Sequence, residues 1–286
     1  MPQLFRSLIF VPGNNPRFLE KAKNIDADIV CFDLEDSVPD DQKTTARKLI
    51  REALKSRSSY KSSIFVRTNS PSSGKILHDL NVIVQKGIDG IVVPKVNNIS
   101  DMREIVKILS TLERKRKTGK ISLIPSIESA QGVVNAYQIA SANKRVSAVV
   151  FGVFDLLNDM GIEYAKNPEG AKYSRAKIPV DASAAGVASI DGIWQDISDT
   201  AGLKKDCRIG RELGYSGKSI IHPDHISIVH KSFHPTKAEI KWAEKVCKSY
   251  EESTQKGKGA TTIDGKMIDE VHYKQAKALL DVAKSS

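Results

Sequence analysis

Short apolar runs alternate with longer, charged, helix-like stretches along most of this chain. Apolar runs of four to eight residues between turn signals are typical of buried strands. Eight such runs lie at residues 8–11, 29–33, 64–67, 90–93, 122–127, 148–152, 191–194 and 218–221. Strands that are apolar throughout are typical of parallel sheets with both faces covered. Because helix-like segments separate the eight strands, the pattern predicts an α/β fold, a TIM (β/α)8 barrel.

The pattern changes after the eighth strand. Residues 235–250 predict an amphipathic helix, residues 253–259 with their two glycines predict a flexible hinge, and residues 270–283 predict a last helix. We therefore expect a catalytic barrel over residues 1–234 and a C-terminal helical extension over residues 235–286. A last segment that follows a glycine hinge favours a helical lid.

The overall composition limits the classes of function. The 286 residues suit a barrel of roughly 250 residues with a short addition. A net charge of +10 favours anionic partners: a phosphorylated small molecule, a nucleic acid or a membrane surface. Three widely spaced cysteines favour a reducing compartment. With neither a signal peptide nor a membrane-spanning apolar run in view, we expect a cytoplasmic protein.

Two acidic residues follow neighbouring predicted strands. Glu128 comes directly after the strand at 122–127, and Asp155 follows the strand at 148–152. The carboxyl ends of parallel strands meet at one edge of the sheet, where α/β enzymes keep their chemistry. Carboxylate oxygens suit Mg²⁺, which proteins often hold through one or two carboxylates. Each carboxylate is equally suited to cap the helix that follows it, so the residues alone leave both roles open.

Arg67 ends the third predicted strand, and Asp33, Glu35 and Asp36 crowd the end of the second. An arginine at the end of an apolar strand needs an anion, either a structural acid or a substrate. Several acids in one turn repel each other unless cations or donors lie close. We therefore expect Glu35 and Asp36 near Arg67 or near metal-bound waters, and helix capping by one of them stays open.

Seven motifs occur in one order along the chain. They are RSLIFVPGNNPR at 6–17, FDLEDSV at 32–38, VRTN at 66–69, PKV at 94–96, IESA at 127–130, IHP at 221–223 and GKMID at 265–269. In this combination the chain resembles the HpcH/HpaI aldolase and citrate lyase β-subunit-like family over about residues 4–283. The resemblance implies that Glu128 and Asp155 hold Mg²⁺. Family members often carry a second acid just before the metal aspartate, where this chain has Phe154.

The resemblance extends to the substrate and to the residues that contact it. The motif at 265–269 resembles the lid of the malyl-CoA and citramalyl-CoA lyases, which covers the active site of a neighbouring subunit. It therefore implies a free coenzyme A thioester as substrate and a homo-oligomer, a trimer or a hexamer. The implied coenzyme A contacts are Phe10, Arg17, Lys21, Arg67, Ile221 and His222. Arg17 and Lys21 are four residues apart and share one helical face, although both also suit an ordinary surface.

The implied catalytic residues are Arg67, Asp36 and Asp269. Arg67 corresponds to the substrate arginine, whose charge can stabilise an enolate oxygen. Asp36 is expected to support Arg67 and metal-bound waters. Asp269, in the predicted lid, is expected to transfer the proton at the acyl-CoA α-carbon. The residues alone support another role equally well: Asp269 would be the N-cap of the last helix.

Together these residues imply a Mg²⁺-dependent carbon–carbon lyase. It would reversibly cleave citramalyl-CoA or malyl-CoA into acetyl-CoA and a 2-oxo acid, pyruvate or glyoxylate, by a retro-Claisen mechanism. The alternatives are a malyl-CoA thioesterase or malate synthase-type activity, and a citrate lyase β-subunit that cleaves a citryl thioester. A non-catalytic coenzyme A- or nucleic-acid-binding protein would use the positive charge, but a full set of acids, arginine and lid aspartate favours chemistry. We expect no nucleic-acid or membrane partner.

Overall fold

Eight parallel strands close a barrel in chain order, and the eighth strand pairs with the first. The structure is a computed structural model that describes residues 5–163 and 169–284. The strands are β1 Ser7–Pro12, β2 Ile29–Asp33, β3 Ser63–Arg67, β4 Gly90–Val93, β5 Ser122–Ile127, β6 Ala148–Phe151, β7 Ala188–Asp191 and β8 Gly217–Ile220. The prediction of a TIM barrel is confirmed.

Seven strands lie within one residue of their predicted bounds, but the predicted seventh strand at 191–194 is wrong. The observed strand β7 begins three residues earlier. Its Ile190 packs in the barrel interior, and its last residue, Asp191, pairs with Arg175. The apolar residues after Asp191 belong to a loop, where Ile193 and Trp194 line cavities beside the barrel mouth. A loop that buries apolar side chains gives the same sequence pattern as a short strand.

Helices follow the strands and cover the outside of the barrel. They are α1 Pro16–Lys21, α2 Lys43–Lys55, α3 Ile76–Ile83, α4 Ile99–Arg116, α5 Ala130–Val134, α6 Ala136–Ala140, α7 Val153–Asp159, α8 Lys172–Ala185, α9 Thr200–Leu213 and α10 His225–Phe233. Asn15 caps α1 by accepting hydrogen bonds from two backbone N–H groups, and Pro16 occupies the first helical position. This cap fixes the chain just beyond the carboxyl end of β1.

Alternate strand residues point into the barrel and form its apolar core. The core residues are Phe5, Leu8, Ile29, Cys31, Phe65, Val92, Ile124, Ala148, Val150 and Ile190. The same alternation carries polar side chains inward at the carboxyl ends of β2 and β3. Asp33 lies two residues after Cys31, Arg67 lies two residues after Phe65, and the two polar residues are partners in the strand register. The register of the sheet therefore brings Asp33 and Arg67 together.

The described chain divides into two compact units, one of Phe5–His230 and a second of residues 231–284. The second unit contains α11 Lys237–Gln255, β9 Thr261–Ile263, β10 Lys266–Ile268 and α12 Glu270–Lys284. Its core consists of Ala243, Val246, Ile263, Ile268 and Ala276. The last helix agrees with its prediction, whereas α11 continues into the predicted hinge. The division at residue 234 into barrel and lid stays a prediction.

The antiparallel pair of β9 and β10 was not predicted. Asp264 and Gly265 form its two-residue turn, with φ of 50° and 77°. A type I′ hairpin turn requires positive φ at both central residues, and Asp-Gly is one of its preferred sequences. The need for positive φ in this turn therefore explains why the GKMID motif begins with a glycine, Gly265. In the described part of the chain, we find no helix with the length and apolar character needed to cross a bilayer.

Candidate active site at the carboxyl ends of the strands

A cleft of about 480 Å³ opens at the carboxyl ends of the barrel strands. Residues of β1, β2, β3, β5, β6 and β8, and of the segments that follow several strands, β7 included, form its walls. The lining residues are Phe10, Pro12, Asp33, Asp36, Ser37, Arg67, Ser126, Glu128, Val150, Phe151, Gly152, Val153, Phe154, Asp155, Ile193, Ser219 and Ile221. Its volume is in the range of small-molecule sites, and this edge of a TIM barrel is where enzymes of this fold carry their chemistry.

Arg67 lies in this cleft and is held by Asp33 in a two-pronged ion pair. Its Nε and Nη2 each donate to one carboxylate oxygen of Asp33 at 2.7 Å. Its Nη1 lies 3.1 Å from Glu35 and 3.5 Å from Asp36, and the guanidinium lies over the Phe10 ring at 4.6 Å. Burial opposes the positive charge, but these carboxylates outweigh it and raise the pKa of Arg67. The guanidinium is therefore fixed and permanently charged.

Asp33 is fully buried, and its carboxylate has donors on several sides. Besides Arg67, it accepts hydrogen bonds from the backbone N–H of Glu35 and from the backbone and side chain of Ser37. Burial alone would raise its pKa, but Arg67 and these donors lower it. Asp33 therefore anchors the arginine and the acidic turn, and it is not a candidate for proton transfer.

Glu128 has the opposite electrostatic environment. Its side chain is buried, and one oxygen accepts a hydrogen bond from the backbone N–H of Lys95 at 2.6 Å. Burial, with further contributions from Glu35 and Asp155, raises its pKa to about 8. On the neighbouring strand end, a Cβ on Gly152 would come within 2.3 Å of the Glu128 carboxylate. The glycine is thus needed for Glu128 to occupy its position.

Asp155 lies in the first turn of α7 and is half-exposed in the same cleft. Its Oδ1 lies 3.4 Å from the ammonium group of Lys95. The same ammonium lies 2.9 Å from Glu35 and 3.4 Å from Asp36. Burial, and to a smaller degree Asp36, raises the pKa of Glu35 to about 7, although Arg67 and Lys95 oppose this shift. Lys95 thus connects the acidic turn after β2 with the two acids after β5 and β6.

Lys95 is the residue of this cluster to which sequence reasoning assigned no role. It directly follows Pro94 after β4 and has a left-handed backbone, with φ of 52°. A lysine just beyond a barrel strand, beside several acids at the neighbouring strand ends, is the signal that could have identified it. Left-handed backbone at a residue other than glycine is concentrated at functional sites.

The cleft carries more negative than positive groups. Glu35 and Lys95 line an adjoining cavity that shares Asp36 with the cleft. Across the two, the described residues bring five carboxylates close to two cations, Arg67 and Lys95; the carboxylates belong to Asp33, Glu35, Asp36, Glu128 and Asp155. The buried oxygen of Glu35 that lies 3.1 Å from Arg67 Nη1 has this ion pair but accepts no well-aligned hydrogen bond among the described residues. Across residues 5–163 and 169–284, no three His, Cys, Asp or Glu side chains form a ready ligand set. A cation here would need water or substrate oxygens as further ligands, which is how proteins usually bind Mg²⁺.

The structure brings most of the predicted barrel residues into one cleft. Arg67, Asp36, Glu128, Asp155, Phe10 and Ile221 all line it. Arg17 and Lys21 are exposed on α1, outside the set of lining residues. His222 also lies outside that set, with its Nδ1 3.5 Å from Asp224 and its ring edge-on to His225. The roles of these three residues in binding coenzyme A stay predictions.

Asp269 belongs to the C-terminal unit. It precedes α12, and its Oδ1 accepts hydrogen bonds from the backbone N–H groups of Val271 and His272. The same oxygen lies 2.7 Å from His272 Nδ1. The hydrogen bond from this imidazole is the main cause that lowers the pKa of Asp269. The expected helix-capping geometry is present, and it uses one carboxylate oxygen, Oδ1.

A barrel with an acidic, arginine-containing cleft at the carboxyl ends of its strands belongs to the class of TIM-barrel enzymes. Residues 6–223 match the model of the HpcH/HpaI aldolase/citrate lyase family, and the chain belongs to that family.

Similar characterised proteins have more than one activity. The chain is 34% identical to the citrate lyase subunit beta of Leuconostoc mesenteroides subsp. cremoris, over 99% of this chain and 95% of that protein. It is 32% identical to a (3S)-malyl-CoA thioesterase of Cereibacter sphaeroides, over 98% of this chain and 95% of that protein. It is 33% identical to the mitochondrial citramalyl-CoA lyase of Homo sapiens, over 98% and 86%. These relatives are enzymes, and they differ in the reaction after which they are named.

Solved structures agree with the fold. The CitE protein of Mycobacterium tuberculosis, in complex with magnesium, acetoacetate and coenzyme A, has a TM-score of 0.81 at 24% identity, over 99% of this chain and 100% of that one. This likeness shows the fold alone. A CitE structure from the same organism, in complex with magnesium and pyruvate, has a TM-score of 0.70 at 26% identity. The match covers 82% of this chain and 92% of that one.

Proposed function

We propose that this protein is a Mg²⁺-dependent carbon–carbon lyase that reversibly cleaves a 3-hydroxy-dicarboxylic acyl-CoA by a retro-Claisen reaction. Citramalyl-CoA would give acetyl-CoA and pyruvate, and malyl-CoA would give acetyl-CoA and glyoxylate. The observation that carries the proposal is one cleft that is lined by the fixed Arg67 and by the carboxylates Glu128 and Asp155. Relatives at 32–33% identity are named for activity on these two thioesters.

Glu128 and Asp155 are the residues that would hold Mg²⁺. Their carboxylates are hard oxygen ligands at neighbouring strand ends. Burial, and after it the charges of Glu35 and Asp155, raises the pKa of Glu128 to about 8, so a bound cation would favour its ionised form. A related CitE structure contains magnesium together with pyruvate. When bound, the metal would polarise the carbonyl of the 2-oxo acid.

Arg67 would act on the thioester. Because Asp33 binds Nε and Nη2, the remaining edge of the guanidinium, at Nη1, faces Glu35 and Asp36. A fixed cation in a partly buried cleft stabilises negative charge that develops in the transition state, here on the enolate oxygen of acetyl-CoA. Asp36, which is 53% exposed, would orient Arg67 and ordered water at the mouth of the site.

Asp269 would transfer the proton at the α-carbon. In cleavage, the 3-hydroxyl group would give its proton to a water molecule of the cleft, and the bond between the α- and β-carbons would break. Asp269, protonated by solvent beforehand, would then give its proton to the α-carbon of the acetyl-CoA enolate. In condensation, Asp269 removes a proton from the acetyl-CoA methyl group. Because its pKa is lowered, Asp269 is ionised near neutral pH and ready for the condensation direction. Coenzyme A would contact Phe10, Arg17, Lys21, Ile221 and His222, with the two exposed cations meeting its phosphates.

A second candidate function is hydrolysis of the thioester, which relatives named (3S)-malyl-CoA thioesterase favour. Water would attack the thioester carbonyl in the same cleft and release free coenzyme A. Cleavage of a citryl thioester is a third, supported by relatives named citrate lyase subunit beta. The three functions differ in their products, so product analysis separates them.

The test is mass spectrometry of coenzyme A species after the protein is mixed with Mg²⁺, acetyl-CoA and either pyruvate or glyoxylate. Citramalyl-CoA or malyl-CoA that forms only without EDTA supports the lyase and identifies the 2-oxo acid. Glu128→Gln should abolish the product, whereas Glu52→Gln, which alters an exposed ion pair with Lys55, should not. Free coenzyme A with malate or citramalate would favour hydrolysis, and no new thioester with either acid would contradict the lyase.

We also propose a cytoplasmic homo-oligomer, a trimer or a hexamer, in which each lid serves a neighbouring barrel. Complementation provides the test: Glu128→Gln and Asp269→Asn subunits, each inactive alone, are unfolded together and refolded as a mixture. If the site is shared, mixed oligomers combine an intact barrel with an intact lid and recover part of the activity. Light scattering gives the number of subunits, and an inactive mixture of the correct mass would contradict the shared site.

A further inference from the structure

Lys95 makes contacts with both halves of the acidic cleft. Its backbone N–H donates to Glu128 at 2.6 Å, and its ammonium lies 3.4 Å from Asp155. The same ammonium lies 2.9 Å from Glu35 and 3.4 Å from Asp36. One residue therefore touches both proposed metal ligands and two of the three acids that contact Arg67, Glu35 and Asp36.

The backbone of Lys95 is suited to this double role. Because φ is 52°, the chain turns sharply after β4, and the N–H and the side chain of the same residue both reach acids of the cleft. A lysine in this conformation is uncommon and persists only when its surroundings hold it there. The four carboxylates around Lys95 supply those surroundings.

The position of the ammonium has a consequence for metal binding. A metal ion held by Asp155 would lie close to the Lys95 ammonium, because both would contact the same carboxylate. Two cations that contact one carboxylate repel each other. Because the site is partly buried, water and salt do not fully screen this repulsion. Without a metal, the ammonium offsets part of the negative charge of the cleft.

We propose that Lys95 is a positioning residue that acts as a built-in counter-cation of the metal site. Its ammonium competes with the metal for Asp155, and it holds Glu35 and Asp36 toward Arg67 whether or not the metal is bound. Its charge sets the affinity for the divalent ion below the value that the carboxylates alone would give, which keeps metal binding reversible. The inference rests on the proposed metal-dependent function, and it concerns the affinity of the site rather than the reaction.

The experiment measures Mn²⁺ binding by the full-length protein, with free Mn²⁺ followed by electron paramagnetic resonance. Lys95→Met and Lys95→Gln both remove the charge, and we expect each to lower the Kd for Mn²⁺ by about tenfold. Lys95→Arg keeps the charge and should retain a Kd close to that of the unaltered protein. Lys55→Met removes a lysine from an exposed ion pair with Glu52 and should leave the Kd unchanged.

The results separate this inference from the proposed function. If the unaltered protein binds Mn²⁺ and Glu128→Gln does not, the metal site stands; an unchanged or raised Kd in folded Lys95→Met and Lys95→Gln then overturns the role of Lys95 alone. If the unaltered protein binds no Mn²⁺, the metal site and this inference both fail. Circular dichroism identifies any variant that has not folded. Agreement between the Met and Gln variants shows that the charge, not the shape, of the side chain sets the affinity.

Discussion

The barrel unit contains a buried and a partly buried cluster of charge that differ in their balance. In the first, between the sheet and helices α8 and α9, Arg175 and Lys218 face Asp191 and Asp206, so two cations meet two anions. Lys218 Nζ lies 3.0 Å from Asp191 and 2.5 Å from Asp206, and Arg175 contacts the same two acids. In the second, at the barrel mouth, five carboxylates meet only the cations Arg67 and Lys95 within the described residues.

The pKa values follow this difference. In the balanced cluster, burial opposes the charges, but the partners outweigh it: the pKa of Asp206 is lowered and that of Lys218 is raised. In the cleft, burial and like charges raise the pKa of Glu128 to about 8 and that of Glu35 to about 7. A satisfied cluster indicates a structural role, whereas under-compensated acids in a cleft indicate a site that binds something.

The largest effect is expected from breaking the balanced cluster. Lys218→Met leaves two buried aspartates with Arg175 as their shared cation, and we expect it to lower the free energy of unfolding by about 3–5 kcal/mol. Urea denaturation followed by circular dichroism measures the change. Lys55→Met, which breaks an exposed pair, serves as the control and should change stability by less than about 1 kcal/mol. A loss of that smaller size in Lys218→Met would show that the cluster is not a structural anchor.

The second prediction concerns the cleft without metal. Glu128 and Glu35 have a higher pKa in the folded protein than in the unfolded chain. Above about pH 4.5, the folded state therefore binds more protons than the unfolded chain does. The free energy of unfolding should therefore fall as pH rises from about 4.5 to 8, by roughly 4 kcal/mol for Glu128. Denaturation in EDTA across this range measures the slope. Glu128→Gln should reduce it and be more stable than the unaltered protein at pH 8; an equal slope would contradict the assigned environment.

The third prediction is that Mg²⁺ reverses part of this loss. A ligand that binds only the folded state stabilises it, by about 1–2.7 kcal/mol when its concentration is several to one hundred times the Kd. Thermal unfolding at pH 8 with and without Mg²⁺ measures the gain, with Ca²⁺ as a comparison ion. The Glu128→Gln and Asp155→Asn variants should show little gain. Equal stabilisation of these variants would place the metal elsewhere on the protein.

The polar residues of the cleft divide into those that a one-dimensional pattern reveals and those that it does not. Glu128 and Arg67 were predicted because each follows or ends an apolar strand, and parallel strands bring their carboxyl ends to one edge. Lys95 received no role because its importance depends on a left-handed backbone and on acids from three other strand ends. The spacing of residues along the sequence does not show that Lys95 contacts these acids.

The elements show a similar division. Strands that are buried on both faces were found nearly to the residue, but β7 was placed three residues late because the loop after Asp191 is apolar too. The hairpin after α11 was missed although Asp264 and Gly265 are a recognised turn pair, since its strands have only three residues each. Short strands give too few alternating positions for a pattern to be recognised.

The smallest effect is expected at Asp269, a carboxylate outside both clusters. Its pKa is lowered mainly by the hydrogen bond from His272, so His272→Gln should raise it. If Asp269 must be ionised to remove the methyl proton of acetyl-CoA, the acid limb of kcat/KM for condensation should move to higher pH by less than about one unit. Kinetics from pH 4 to 8 measure this limb, and Lys274→Met, which breaks the exposed pair with Glu270, is the matched control on α12. A limb that stays in place in His272→Gln would mean that its pKa belongs to another group, and the proton transfer would then have to be reassigned from Asp269.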